Sequence, residues 1–443
     1  MMIFMEILIF LSTVLPLFHI INALISKRGN PYLLNKNKRF SILIPCYNEE
    51  YTVALSVNAL LNMDYDNYEA IYINDGSSDG TLRALNGMLR LYKMEDANAA
   101  PGHTVYRSSL HPNFFVIDKP KAGKSDALNA GLALAANELI VTLDADSVLE
   151  KNALKIMAGA FEDPDVVAAG GSVHIIQGYN TPNSRRAGQK PLLMLQILEY
   201  IKGFYIYKMS LSKQRAVTIV SGAFGVFRKE ILILTGGYRR TLGEDVDITI
   251  RIQKMIHKTR KKILFIPKAL CFTQCPENWR DLKNQRIRWQ KGFVDCIVHY
   301  RRFLLKTFLF KSFSFHFLVE AMIVGLSSCL LTIFTYVFAA VLAFGDISTL
   351  GIFAVYYVFC IVFDILYSVS ALAVSMRYNR YPERIFRKVW LAIALNILFY
   401  RYFNLIMFLA GTLSYFWTKK SKHDWNKVAR VKRDYSPAVQ EGA

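Results

Sequence analysis

Leu139-Ile-Val-Thr-Leu-Asp-Ala-Asp-Ser147 reads as a buried strand, Leu139 to Leu143, that ends in two carboxylates one residue apart. A continuous apolar run bounded by turn residues suits an inner strand of a parallel sheet. In open α/β sheets ligands sit beyond the carboxyl ends of such strands, where Asp144 and Asp146 can reach one site. Paired hard oxygen ligands suit Mg²⁺ or Mn²⁺ bridged to a diphosphate. An isolated Asp-x-Asp is usually just a polar turn, so its neighbours carry the argument.

Upstream, the pattern alternates strand and helix. Phe40 to Pro45, Ala70 to Asn74 and Phe114 to Ile117 read as strands; Glu50 to Met63, a segment from Thr81, and Ser125 to Ala136 read as helices. Strands separated by helices of this length predict a parallel, doubly wound, Rossmann-like α/β sheet with right-handed crossovers.

The chain has 443 residues, with 54 Lys+Arg against 34 Asp+Glu, a formal charge of +20. Its apolar residues cluster at the N-terminus and after residue 310 in stretches long enough to span hydrocarbon. Basic residues flank those stretches, so the positive-inside rule and anionic lipid account for the charge better than nucleic acid does. Residues 1–28 read as an anchor with a cytoplasmic C-terminal end and no cleavage site, 38–302 as a cytoplasmic domain, 303–418 as interfacial and transmembrane helices, and 419–443 as a basic cytoplasmic tail. Phe303 to Phe317 suits a helix lying at the interface, and Leu318 to Phe344 and Gly351 to Met376 can each span. Three crossings after the cytoplasmic domain would put the tail outside. Val389 to Trp417, interrupted by Tyr400-Arg-Tyr402, is therefore read as partly interfacial or re-entrant, or as two short segments. Cys271-x-x-x-Cys275 lacks companion histidines and reads as two reduced thiols, though spacing alone does not exclude a bridge.

Further signals fall in order at the predicted strand ends. Pro45-Cys-Tyr-Asn-Glu49 closes the first strand and Asn74-Asp-Gly76 the second; Asp75 either accepts hydrogen bonds from a nucleobase or ribose or caps a helix. Gly123-Lys124 at a helix start offers amides and an ammonium to phosphate without being a P-loop. Gly243-Glu-Asp245 precedes a helix, and Gln285, Arg288 and Trp289 share one helix face at i, i+3 and i+4. A donor amide, a guanidinium and an indole on one face suit a diphosphate beside a sugar ring. The bland reading is Arg and Trp snorkelling near a membrane.

Asp75, Asp144-x-Asp146, Glu244-Asp245 and Gln285-x-x-Arg288-Trp289 together resemble the membrane-integrated, processive family 2 glycosyltransferases: cellulose, chitin, hyaluronan and poly-N-acetylglucosamine synthases. Glu199-Tyr200, Ser221-Gly222, Phe317-Leu-Val-Glu320, Arg377-Tyr378, Trp425 and Arg430 make the chain most similar to bacterial poly-β-1,6-N-acetylglucosamine synthases, though Gly243 stands where those carry threonine. The resemblance implies an A-type glycosyltransferase fold facing the cytoplasm from a multi-pass plasma-membrane protein. It implies a hexosyltransferase making a biofilm or capsule exopolysaccharide by inverting transfer from a UDP-sugar, with UDP-N-acetylglucosamine the best match. The growing polysaccharide would pass through the chain's own helices, and a small accessory membrane subunit would be a partner. Carried onto this chain, Cys46, Tyr47, Glu49 and Asp75 would hold uridine and Lys124 the diphosphate. Asp144 and Asp146 would bind nucleotide and metal, and Gln285 and Arg288 the donor diphosphate. Trp289 would sit under the acceptor sugar, and Glu244 and Asp245 would be the catalytic pair, Asp245 as general base.

The rival within the same class is a non-processive transferase that adds one sugar to a lipid carrier. The rival outside it is a transporter or scaffold with an inactive transferase domain, for which Glu320 and Asp364 inside apolar runs would mark a pathway.

Overall fold

The computed structural model describes residues 2–26, 34–95, 100–179, 190–319, 325 and 347–417. Among these residues the strands are β1 (Phe40–Cys46), β2 (Tyr68–Asp75), β3 (Leu91–Lys93), β4 (Thr104–Ser108), β5 (Phe114–Lys119), β6 (Leu139–Leu143), β7 (Ser147–Leu149), β8 (Val166–Ile175), β9 (Phe224–Arg228) and β10 (Lys262–Thr273). They form one sheet in the order β3-β4-β5-β2-β1-β6-β9-β8-β10-β7.

The half that carries the first motifs is as expected: β5, β2, β1 and β6 run parallel. Every residue of β1 and of β6 is buried, as continuous apolar runs in an inner parallel strand require. The helices Val53–Leu61, Thr81–Leu89 and Lys124–Leu134 make the crossovers.

The expectation of a parallel sheet fails on both sides of this core: β4 lies antiparallel to β3 and β5, and beyond β6 the pairing is mixed, with β8 and β10 parallel to each other. Strand β9 lies antiparallel between β6 and β8, and β7 pairs antiparallel with the end of β10. Leu143 at the carboxyl end of β6 faces Phe224 at the start of β9. The loop entering β9 therefore opens onto the same edge as Asp144. Ser147 pairs with Thr273, so the end of β10 also arrives there.

Two further expectations need correction. Residues 303–317 are not one helix: the helix Trp279–Thr307 runs through the first part, a short helix, Ser312–Phe315, follows, and Phe313 and Phe317 are buried against Phe293. Nor is Val389 to Trp417 split or re-entrant. Helices Glu383–Leu395 and Arg401–Trp417 join without a break through a π turn, Asn396–Tyr400. Tyr400 and its neighbours do not end the helix, because the wider turn rotates Tyr400 inward to full burial, where its hydroxyl donates to Glu199 Oε2 at 2.6 Å.

Among the described residues two helices, Val358–Ser375 and Ile385–Trp417, are long and apolar enough to cross a membrane. Of the predicted span Leu318 to Phe344 only residues 318, 319 and 325 are described, and the basic tail and Glu320 lie outside the described residues. Asp364, expected to mark a pathway, pairs with Lys202 Nζ at 2.7 Å and accepts from Asn396 Nδ2 at 2.7 Å. Cys271 and Cys275 are buried free thiols.

Candidate active site

A cavity of about 660 Å³ opens at the carboxyl edge of the parallel strands. Tyr47, Glu49, Lys124, Asp144, Asp146, Glu244, Asp245, Gln285, Arg288 and Trp289 line it, so motifs from widely separated parts of the chain share one wall.

Lys124 is its electrostatic hub. The ammonium lies 2.8 Å from Asp144 and 2.7 Å from Glu244. Burial works against its charge, but the two carboxylates outweigh that and raise its pKa above the ordinary lysine value. The turn before it depends on Gly123, whose φ of +102 lies where side chains are rarely tolerated.

Asp75 holds that turn. Its Oδ1 accepts from Lys119 Nζ at 2.7 Å and from the Ala122 amide at 2.9 Å, and its Oδ2 accepts from the Gly123 amide at 2.7 Å. It is fully buried and is not among the residues that line the cavity. Cys46 is likewise buried outside the wall, its thiol directed to the Ile44 carbonyl. Tyr47 and Glu49 alone of that strand-end group's predicted contacts reach the cavity. Lys121 lies over the Tyr47 ring at 4.1 Å, and Glu49 accepts from Thr52 Oγ1 at 2.6 Å.

Asp146 is buried, with Ser147 and Thr273 hydroxyls at 3.4 Å from Oδ1. No group of three or more His, Cys, Asp or Glu suited to a metal occurs among the described residues. Two adjacent carboxylates with oxygen donors only fit a hard divalent ion that takes its other ligands from phosphate and water.

Glu244 and Asp245 start the helix Glu244–Ile256. Asp245 Oδ1 accepts from the Val246 amide at 2.9 Å, and Oδ2 lies 3.4 Å from the Gly222 amide. Burial and then Glu244 push its carboxyl above the usual carboxylate range, with Lys124 and Lys208 opposing. Gly243, where the resembling synthases carry threonine, meets the backbone of Gly292 on the Trp279–Thr307 helix; a Cβ on Gly292 would lie 2.7 Å from the Gly243 nitrogen. Paired glycines thus let the carboxylate-bearing loop close onto the helix of Gln285, Arg288 and Trp289. That helix begins at Asn278, whose side chain accepts from the Asp281 amide at 2.9 Å.

Several cavity residues escaped sequence reasoning. Gly222 sits between Lys124, Glu244 and Asp245. Lys208 lies 4.4 Å over the Phe204 ring, its ammonium pushed down to about 8 by burial, with Asp245 opposing. Arg286 is 8% exposed and pairs with Glu199 at 2.7 Å. Asn404, Met407 and Phe408 bring the Arg401–Trp417 helix to the wall. The neighbouring positions Glu199-Tyr200 and Ser221-Gly222 were the available signal; the contacts themselves are long-range.

Known proteins share this arrangement of sequence. The description "Glycosyl transferase family 2" matches residues 41–234, and "Glycosyl transferase family group 2" matches residues 139–345. Poly-β-1,6-N-acetyl-D-glucosamine synthase of Staphylococcus aureus (strain COL) is 27% identical over 306 residues, covering 67% of this chain and 65% of that protein. Its Staphylococcus epidermidis counterpart is 29% identical over 261 residues, 58% of this chain and 55% of that protein. The chain thus matches 65% and 55% of these relatives' length. In fold it is similar to a mannosyltransferase from Pyrobaculum calidifontis, solved with GDP-Man and Mn²⁺, at a TM-score of 0.58 and 18% identity, covering 89% of this chain and 97% of that one.

Proposed function

The chain belongs to the family 2 glycosyl transferases, and on that premise we propose that it is a processive, inverting hexosyltransferase of the membrane. It transfers N-acetylglucosamine from UDP-N-acetylglucosamine to a growing β-linked polysaccharide, which leaves between its apolar helices. The observation that carries this reading is the extent of the cavity. One continuous wall runs from Lys124 and Asp144 through Asp245 and Trp289 to Asn404, Met407 and Phe408, on a helix long enough to cross a membrane. The Gln285-x-x-Arg288-Trp289 face along that wall weighs against transfer of a single sugar to a lipid carrier. The similarity to poly-N-acetylglucosamine synthases supports the choice of donor.

In this mechanism Asp144 and Asp146 would hold the divalent ion, Mg²⁺ or Mn²⁺, which when bound supplies positive charge against the departing diphosphate. Arg288 and Gln285, which line the same cavity, bind the phosphates with donors that match phosphate oxygens. Asp245 accepts the proton of the acceptor hydroxyl as its oxygen bonds to C1, while the C1–O bond to UDP breaks and its electron pair leaves with the diphosphate. Attack from the face opposite the leaving group inverts the anomeric centre. Trp289, 43% exposed along the cavity, carries the apolar face of the acceptor sugar.

The test is transfer from a panel of labelled UDP-sugars in membranes bearing the full chain. Incorporation from UDP-N-acetylglucosamine into material cut by a β-1,6-specific hydrolase is expected. In the same assay Trp289→Ala is expected to impair elongation by roughly tenfold with little change in UDP affinity, and Arg288→Ala to do the reverse, each on the scale of one lost stacking or charge-assisted contact. No incorporation from any UDP-sugar, or equal loss of UDP affinity in both variants, would contradict the reading.

A further inference from the structure

Trp289 brings a large, partly exposed indole to the cavity, and a neighbour one turn away on its own helix lies over the ring. That neighbour is Arg286, at i−3, whose guanidinium carbon lies 4.5 Å above the indole centroid. Arg286 is itself held. Its Nη2 lies 2.7 Å from Glu199 Oε2, on the helix Pro191–Lys202, and its Nη1 lies 3.4 Å from Gln285 Oε1. Glu199 Oε2 also accepts from Tyr400, on the π turn of the long apolar helix. The other end of that turn, Asn396, reaches the same Pro191–Lys202 helix through Asp364 and Lys202.

We propose that Arg286 is a positioning residue for the acceptor: clamped by Glu199 and Tyr400, it holds the Trp289 indole in the orientation on which the terminal sugar stacks. A guanidinium over one face of an indole that lines the cavity gives a platform of fixed tilt. Without it the exposed ring has two free torsions and loses its alignment with Asp245. The clamp also makes that tilt depend on the π turn, so the platform and the helix beside the leaving polymer move together. This inference rests on the acceptor role given to Trp289 above.

The experiment uses the full chain in nanodiscs, with UDP-N-acetylglucosamine as donor and a β-1,6-linked N-acetylglucosamine tetramer as acceptor. Arg286→Ala is expected to raise the acceptor KM about tenfold, the upper range for a cation–π contact, and to leave the donor KM within about twofold. Arg286→Lys keeps the charge opposite Glu199 and hence the fold, but loses the flat guanidinium; it is expected to raise the acceptor KM by an intermediate factor. A second readout is independent of transfer. In protein labelled with 5-fluorotryptophan, the Trp289 resonance, assigned through Trp289→Phe, should be one narrow line in the native chain and broadened or shifted in both Arg286 variants. If native protein does not use this donor, the functional reading fails while the fluorine spectrum still decides the clamp. An unchanged Trp289 resonance in Arg286→Lys and Arg286→Ala, or donor and acceptor KM rising together, would overturn the inference.

Discussion

Asp245→Asn is expected to lower polymer synthesis by roughly 10²-fold or more, the scale of general-base catalysis, while UDP binding persists. The amide keeps the shape of the side chain and its place at the head of the Glu244–Ile256 helix, but cannot take a proton. The pH dependence gives an independent check. Burial and the neighbouring Glu244 raise the Asp245 pKa, so the base form is lost on acidification at a higher pH than for an ordinary aspartate. The acid limb of kcat/KM should therefore lie above the usual carboxylate range. Glu244→Gln removes the like charge, which lowers that pKa and should move the limb to lower pH. Initial rates across pH measure both. Near-native turnover in Asp245→Asn would remove it from the role of base.

The second large effect concerns the ion. Chelation with EDTA is expected to abolish transfer, and Mg²⁺ or Mn²⁺ to restore it. Asp146→Ala is expected to weaken metal-dependent UDP binding by about tenfold or more, a modest share of the several kcal/mol a bound ion contributes against phosphate charge. Calorimetry of UDP with and without Mn²⁺ separates binding from chemistry. Asp146 is well chosen because Asp144 also meets Lys124, so removing Asp144 would disturb the ammonium as well. Full activity in chelator would make the pair structural.

The parts of the site that depend on local pattern were legible in the sequence. The buried run Leu139–Leu143 placed Asp144 and Asp146 at a strand end, and helical periodicity placed Gln285, Arg288 and Trp289 on one face; all five line the cavity. What depends on pairing between distant segments was not. The antiparallel entry of β9 beside β6 brings Ser221 and Gly222 to the site, and the strand's residues alone do not encode its direction. The position of Asp75 after a strand does not reveal that its oxygens also accept from the loop that presents Lys124. Gly243 departs from the threonine of the resembling synthases, and the reason lies at Gly292, in another helix. Tyr400-Arg-Tyr402 suggested a break in an apolar segment; a π turn absorbs it, because burying Tyr400 against Glu199 satisfies the hydroxyl that would otherwise favour water.

The claim at the centre of this account is that one cavity both transfers the sugar with inversion and retains the growing chain. The measurement that bears on it most directly is the product of the purified full-length chain supplied with UDP-N-acetylglucosamine and Mg²⁺, read by proton NMR for anomeric configuration and by size against time. The account predicts β-linked chains that are already long while most donor remains unspent. Single-sugar products, a ladder of short intermediates that lengthens evenly, or an α anomeric signal would contradict it.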